Sequence, residues 1–150
     1  MLLSELLSPD RVKVPLDGRT KDDLLQELVA LVARSPEDAR EILAAVHDRE
    51  RELSTGVGGG VAIPHARTSR VDQLVMAAGI APTPVDFDAL DGQPVELFFL
   101  LVGPESSAGA HVRALARISR LLRREPLRAS LRSASDASAF LQVVRDSETA

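Results

Sequence analysis

Residues Leu97-Phe98-Phe99-Leu100-Leu101-Val102 form an unbroken apolar run, preceded by Val95 and Glu96. A strand with apolar side chains on both faces can turn neither of them to water, so such a segment must be covered above and below. It is far shorter than the roughly 18–20 apolar residues of a membrane-spanning helix. The run therefore predicts a central strand in a sheet with helices packed on both sides. A second apolar stretch, Leu74 to Ile80, supplies a neighbour. Val61-Ala62-Ile63 reads as a short strand stopped by Pro64, which leaves His65 just beyond it. Pro82 to Pro94, containing Asp91-Gly92, reads as an excursion with a turn between two strands.

The helices are marked by their caps. Thr20 precedes Leu24, Leu25, Leu28, Val29, Leu31 and Val32 at helical spacing, with Asp22 and Asp23 in the first turn where the dipole favours acids. Ser35-Pro36-Glu37-Asp38 opens a second helix to about Arg49. After Pro104 to Gly109, an apolar stripe of Val112, Leu115, Ile118, Leu121 and Leu122 alternates with Arg113, Arg117, Arg120, Arg123 and Arg124, an amphipathic helix with a basic outer face. Pro126 opens a short helix, and Asp136 caps a last one that buries Phe140, Leu141 and Val144. Alternating helices and strands predict an α/β fold: a three-layer sandwich whose mixed, mostly parallel sheet of about five strands is flanked by helices on both faces. With 150 residues, 45% of them hydrophobic, one domain spanning 1–150 is expected.

Composition narrows the chemistry. The chain has no cysteine, which excludes disulfides, thiolate metal sites and cysteine nucleophiles. A net charge of −4 with four Phe and no Trp or Tyr offers neither the footprint for a phosphate backbone nor base-stacking surface, so nucleic acid is not an expected partner. The opening Met1-Leu-Leu-Ser-Glu-Leu-Leu7 is acidic and short for a secretory signal, so a cytoplasmic, freestanding domain without membrane insertion is expected.

The glycine cluster Gly56-Val57-Gly58-Gly59-Gly60-Val61 fails as a dinucleotide fingerprint, because it precedes a strand and ends in Val. It fails as a Walker A loop because Lys13 and Lys21 are both distant, and no Gly-x-Ser-x-Gly elbow occurs. Of three histidines, His47 sits mid-helix and reads as incidental. His65 follows Pro64 beside the glycines, with Arg49 and Arg67 near in sequence, and His111 falls at the start of the arginine-bearing helix, where backbone N–H groups can receive an anion. No His-x-x-x-His or comparable spacing supports a metal, and no cofactor is expected. An imidazole nucleophile, arginines for an oxyanion and glycines for close approach suit phosphoryl chemistry better.

The segment Arg49-Glu50-Arg-Glu-Leu-Ser54-Thr55-Gly56-Val57-Gly58-Gly-Gly-Val61-Ala62-Ile63-Pro64-His65-Ala66 resembles the phosphorylation-site motif of type-2 enzyme IIA domains of the bacterial phosphotransferase system, the fructose/mannitol/nitrogen-regulatory group. Val85-Asp86-Phe87-Asp88, Asp91-Gly92-Gln93-Pro94-Val95 and His111 ahead of its helix are similar to the same family, so the resemblance covers essentially the whole chain. It implies a phosphotransferase component: His65 accepts a phosphoryl group at Nε2 from an HPr-like phosphocarrier or its nitrogen-branch counterpart, assisted by Arg49 and His111. Ser54, Thr55, Gly56, Gly58 and Pro64 form the supporting loop, and the resemblance assigns no fixed counterpart to Arg67. A backbone carbonyl of the glycine loop is the expected acceptor for the Nδ1–H of His65. The opening Leu2 to Leu7 and the Phe87 to Asp91 stretch resemble the nitrogen-regulatory branch, which signals through its phosphorylation state to regulatory targets. The alternatives are a separate IIA subunit passing phosphate to a IIB cysteine for fructose or mannitol uptake, and an interaction module that is never phosphorylated.

Overall fold

A computed structural model describes residues 2–149. In chain order the elements are α1 (Leu3–Leu6), β1 (Val12–Lys13), α2 (Lys21–Val32), α3 (Pro36–Glu52), β2 (Gly56–Gly58), β3 (Val61–Ala62), β4 (His65–Arg67), β5 (Val75–Val85), β6 (Val95–Gly103), α4 (Ala108–Leu122), α5 (Glu125–Arg132) and α6 (Ala137–Thr149). The caps work as the residue types require. Thr20 Oγ1 and Ser35 Oγ accept from the amides of Asp23 and Asp38, each at 3.1 Å, and Asp136 accepts from the Ala139 amide at 2.8 Å.

The sheet is mixed, as expected, and has six strands where about five were expected, in the order β1-β5-β6-β3-β2, with β4 also on β6. Three of its five pairings are parallel, β1 with β5, β3 with β6 and β4 with β6. The longest ladder is antiparallel, running from Val75 opposite Val102 to Val85 opposite Val95. That follows from the short return between β5 and β6, since parallel strands need a crossover of a dozen or more residues. β5 also extends to Val85 through Pro82 and Pro84, where an excursion was expected. The register shifts between Ile80 and Val85, so the missing proline donors interrupt no regular ladder.

The apolar run behaves as its composition demands. Phe98, Leu100 and Val102 of β6 face a core filled by α2 and α3, while Leu97, Phe99 and Leu101 face a second core filled by α1, α4, α5 and α6. This period-two partition of one strand is what makes three layers. Glu148, whose side chain is covered, fastens the second layer: its carboxylate accepts from the Leu3 and Ser4 amides at 2.7 and 2.9 Å and from Arg117 Nε at 2.9 Å. No helix among the described residues is long and apolar enough to cross a membrane.

Candidate functional site

Pro64 does not end its strand. β3 and β4 both lie parallel to β6, Ala62 opposite Phe98 and His65 opposite Leu101, so the register is continuous across Ile63 and Pro64. Proline removes one donor while its carbonyl still accepts from Leu101 N at 3.0 Å. His65 is thus the first residue of a resumed strand instead of a loop residue beyond one. The glycines complete the approach. Gly58, Gly59 and Gly60 all have positive φ in the turn joining β2 to β3, and a Cβ at Gly56 would lie 2.8 Å from the Ala89 Cβ. Ser54 Oγ donates to the Phe87 carbonyl at 2.9 Å and accepts from Gly56 N, and Leu90 N donates to the Gly56 carbonyl, so segment 86–92 is fastened over β2.

The Nδ1 of His65 lies 2.9 Å from the Ile63 carbonyl oxygen. A carbonyl can only accept, so Nδ1 carries the proton and Nε2 presents the lone pair. The acceptor is Ile63, two residues upstream, and not a glycine carbonyl: the bend at Ile63-Pro64 turns that oxygen back onto the ring. His111, in the first turn of α4, stands edge-on to His65 with ring centroids 5.6 Å apart and planes at 63°. It is 4% exposed, and its Nδ1 has no hydrogen-bond partner among the described residues. Ser107 gives α4 no side-chain cap, so the first amides of that helix stay unclaimed by one.

Both histidines line an open cleft of about 460 Å³ together with Arg49, Arg67, Glu105, Ala108 and Val112. Arg49 is anchored by Nη1 donating to the Leu53 carbonyl at 2.8 Å, and its Nε is 3.9 Å from Glu52. Arg67 Nη1 lies 3.9 Å from Glu105. Arg49, His65 and His111 are therefore brought together, and Arg67 joins them as a residue to which the motif gave no role. Its alternation with His65 along β4 was the available signal. His47 is elsewhere on α3, 4.0 Å from Asp22. A larger cleft of about 570 Å³, lined by residues such as Arg11, Arg34 and Asp72, contains no histidine.

Burial and two guanidiniums set the proton affinities. Desolvation, with the charges of Arg49 and Arg67, lowers the His65 pKa below its ordinary 6.5 against the opposing pull of the Ile63 bond and Glu50. Desolvation, then His65 and Arg67, push His111 down to about 4. Both rings are neutral at pH 7, as a nitrogen nucleophile requires. Among the described residues no three His, Asp or Glu side chains converge as metal ligands.

Residues 5–147 match the family described as phosphoenolpyruvate-dependent sugar phosphotransferase system, EIIA 2. A nitrogen regulatory protein of Pseudomonas aeruginosa is 42% identical over 96% of this chain and 95% of its own. The fructose-specific EIIABC component of Bacillus subtilis is 34% identical over 96% of this chain, which corresponds to 23% of that longer protein. The crystal structure of the nitrogen regulatory protein IIA-Ntr from Neisseria meningitidis superposes with a TM-score of 0.87 at 32% identity, covering 95% of this chain and 98% of that one.

Proposed function

This chain belongs to the type-2 EIIA family of the phosphotransferase system, and from that premise we propose that it is a cytoplasmic, single-domain phosphohistidine carrier that accepts a phosphoryl group on His65 from an HPr-like phosphocarrier. The observation that carries the assignment of the atom is the bond from His65 Nδ1–H to the Ile63 carbonyl. It fixes the tautomer, so Nε2 is the nucleophile. In transfer the Nε2 lone pair forms the new P–N bond while the donor's P–N bond breaks and returns its electron pair to the donor imidazole. Charge developing on the His65 ring is taken up through Nδ1–H by the Ile63 carbonyl. Arg49, Arg67 and the open start of α4 supply positive potential for the phosphoryl oxygens, and neutral His111 can donate from Nε2. The transfer needs positioning and electrostatics, not a nucleotide or a metal.

Docking of the carrier around this cleft is supported by exposed apolar side chains, Val112 on its wall and Leu53, Val57 and Leu90 on neighbouring segments, within a charged rim. The high identity to a nitrogen regulatory protein over nearly its whole length favours signalling through the phosphorylation state. Matching a segment of a fructose EIIABC component keeps a second reading in play, a IIA subunit that hands its phosphoryl group to a IIB cysteine. Transfer from the phosphorylated protein to purified IIB partners distinguishes the two.

Phosphorylation by an HPr-like carrier, read by phosphorus and proton–nitrogen NMR, tests the site. An acid-labile, alkali-stable adduct on Nε2 of His65, absent in His65→Ala, is expected. Phosphate on Nδ1, on Ser54 or Thr55, or first on His111 refutes the mechanism.

A further inference from the structure

Beneath the site, Glu50 is 8% exposed, an unusual place for a carboxylate. It accepts from the Thr55 amide at 3.0 Å and from the Thr55 hydroxyl. Lys21, at the first turn of α2, completes the cluster: its Nζ is 2.9 Å from Glu50 Oε2, donates to the Phe87 carbonyl at 3.2 Å and lies 4.5 Å above the Phe87 ring. One ammonium therefore ties α2 to α3 and to the segment that covers β2. From Thr55 the contacts continue toward the nucleophile. The Thr55 carbonyl accepts from Ile63 N at 2.9 Å, and the Ile63 carbonyl accepts from His65 Nδ1 at 2.9 Å. Two residues, Thr55 and Ile63, thus connect the ion pair on buried Glu50 to the imidazole.

We propose that Lys21 is a positioning residue for His65: by pinning Glu50 under Thr55 and holding the Phe87 carbonyl, it fixes the Thr55–Ile63 backbone pair that sets the Nδ1–H tautomer and aims Nε2 into the cleft. Lys21 touches neither the imidazole nor the incoming phosphoryl group. Its influence is mechanical through the backbone and electrostatic through Glu50, whose negative charge favours the protonated imidazole. The other charges acting on His65 are Arg49 and Arg67, with neutral His111 beside it, and Asp48, Glu52 and Glu105 line the same cleft. Without Lys21, the carboxylate keeps no cation within 4 Å among the described residues, and its own hold on Thr55 must relax toward water. This assignment rests on the phosphocarrier reading for its consequence in transfer, but not for its effect on the imidazole.

The test compares Lys21→Met, Lys21→Arg and Glu50→Gln with the wild-type chain. Nitrogen-15 NMR of the unphosphorylated protein reads the His65 tautomer and titration, and transfer from the phosphorylated carrier is followed in parallel. In Lys21→Met the single Nδ1–H tautomer gives way to a mixture, and His65 titrates at higher pH because Glu50 is no longer offset. The maximal transfer rate falls about tenfold or more with little change in the carrier concentration for half-saturation. Lys21→Arg restores most of that rate. Glu50→Gln moves the titration the opposite way, to lower pH, and supplies the readout if Lys21→Met does not fold. An unchanged His65 tautomer and titration in a folded Lys21→Met, or in Glu50→Gln where Lys21→Met is unfolded, overturns the proposal. If the imidazole responds as expected but the wild type accepts no phosphoryl group, the coupling stands and the functional reading fails.

Discussion

Replacing His111 by Gln removes a titrating ring from a nearly closed position while keeping a polar side chain there, and the pH dependence of stability reports how strongly the site resists a charge. In the unfolded chain His111 takes a proton near its ordinary 6.5; in the folded chain it does so only at about 4. Between those values the unfolded state holds more protons, so stability conferred by the neutral ring is complete above 6.5 and is lost as pH falls toward about 4. Below that, both states are protonated and the loss stops. At about 1.4 kcal/mol per pH unit for one proton, the whole window is worth about 3.4 kcal/mol. Water in the open cleft screens part of this, which brings the expected loss to about 2–3 kcal/mol.

Urea unfolding of wild type and His111→Gln, taken at steps from about pH 7.5 down to about pH 4, isolates that contribution. His65, whose pKa is also lowered, and the depressed carboxylates Glu27 and Glu148 destabilise both proteins in acid and cancel to first order in the difference. The two stability curves should converge by about 2–3 kcal/mol as pH falls, the wild type losing its advantage. Curves that stay parallel would mean that His111 titrates normally when folded, and the account of its burial beside His65 and Arg67 would be wrong.

Other outcomes follow from the same geometry. Arg49→Ala should cut phosphoryl acceptance by about a hundredfold while the protein stays folded, as a missing oxyanion partner does, measured by single-turnover transfer. Gly56→Ala drives a methyl to 2.8 Å from Ala89 Cβ and 2.9 Å from its Cα, so a loss of about 1–3 kcal/mol and faster exchange of the Leu90 amide are expected in denaturation and hydrogen-exchange measurements. Phe98→Ala empties a fully buried site whose ring lies 5.5 Å from that of Phe87 and should cost about 3–5 kcal/mol in urea unfolding. Glu148→Gln leaves one oxygen where three donors converge; about 1–3 kcal/mol should be lost, with the Leu3 and Ser4 amides opening first.

What could be read from the chain follows how local each signal is. The β6 run and the capped helices are written in consecutive residues, so the layers and helix starts are legible. β1 is two residues long and β2 is mostly glycine; neither has a hydrophobic period, and both exist because a neighbour offers an edge. Pro82 and Pro84 misdirect for a similar reason, since a strand tolerates proline wherever its ladder is irregular. At the site, the motif carries Arg49 and His65 because they flank one turn-rich segment. Lys21 is 29 residues from Glu50 and only packing of α2 against α3 brings them together.

The cleft also has to tolerate its own product in the reading proposed here. A phosphoryl group adds close to two negative charges at neutral pH, beside rings that are themselves uncharged. The charges able to answer it are Arg49 and Arg67, and each is held by its acid at 3.9 Å, Arg49 by Glu52 and Arg67 by Glu105. Both acids are exposed, and pairs this long contribute little in the resting protein and cost little to exchange. Arg49 is steadied instead by the Leu53 carbonyl, a neutral anchor that keeps the guanidinium at the cleft without neutralising it. By contrast, the tight pair of half-buried Lys21 with buried Glu50 lies behind Thr55, outside the set of cleft-lining residues. In that reading, loose acid pairs at the surface of the cleft and a fixed pair beneath it divide the two requirements of a carrier: guanidiniums not neutralised by their acids, and an imidazole held in one orientation.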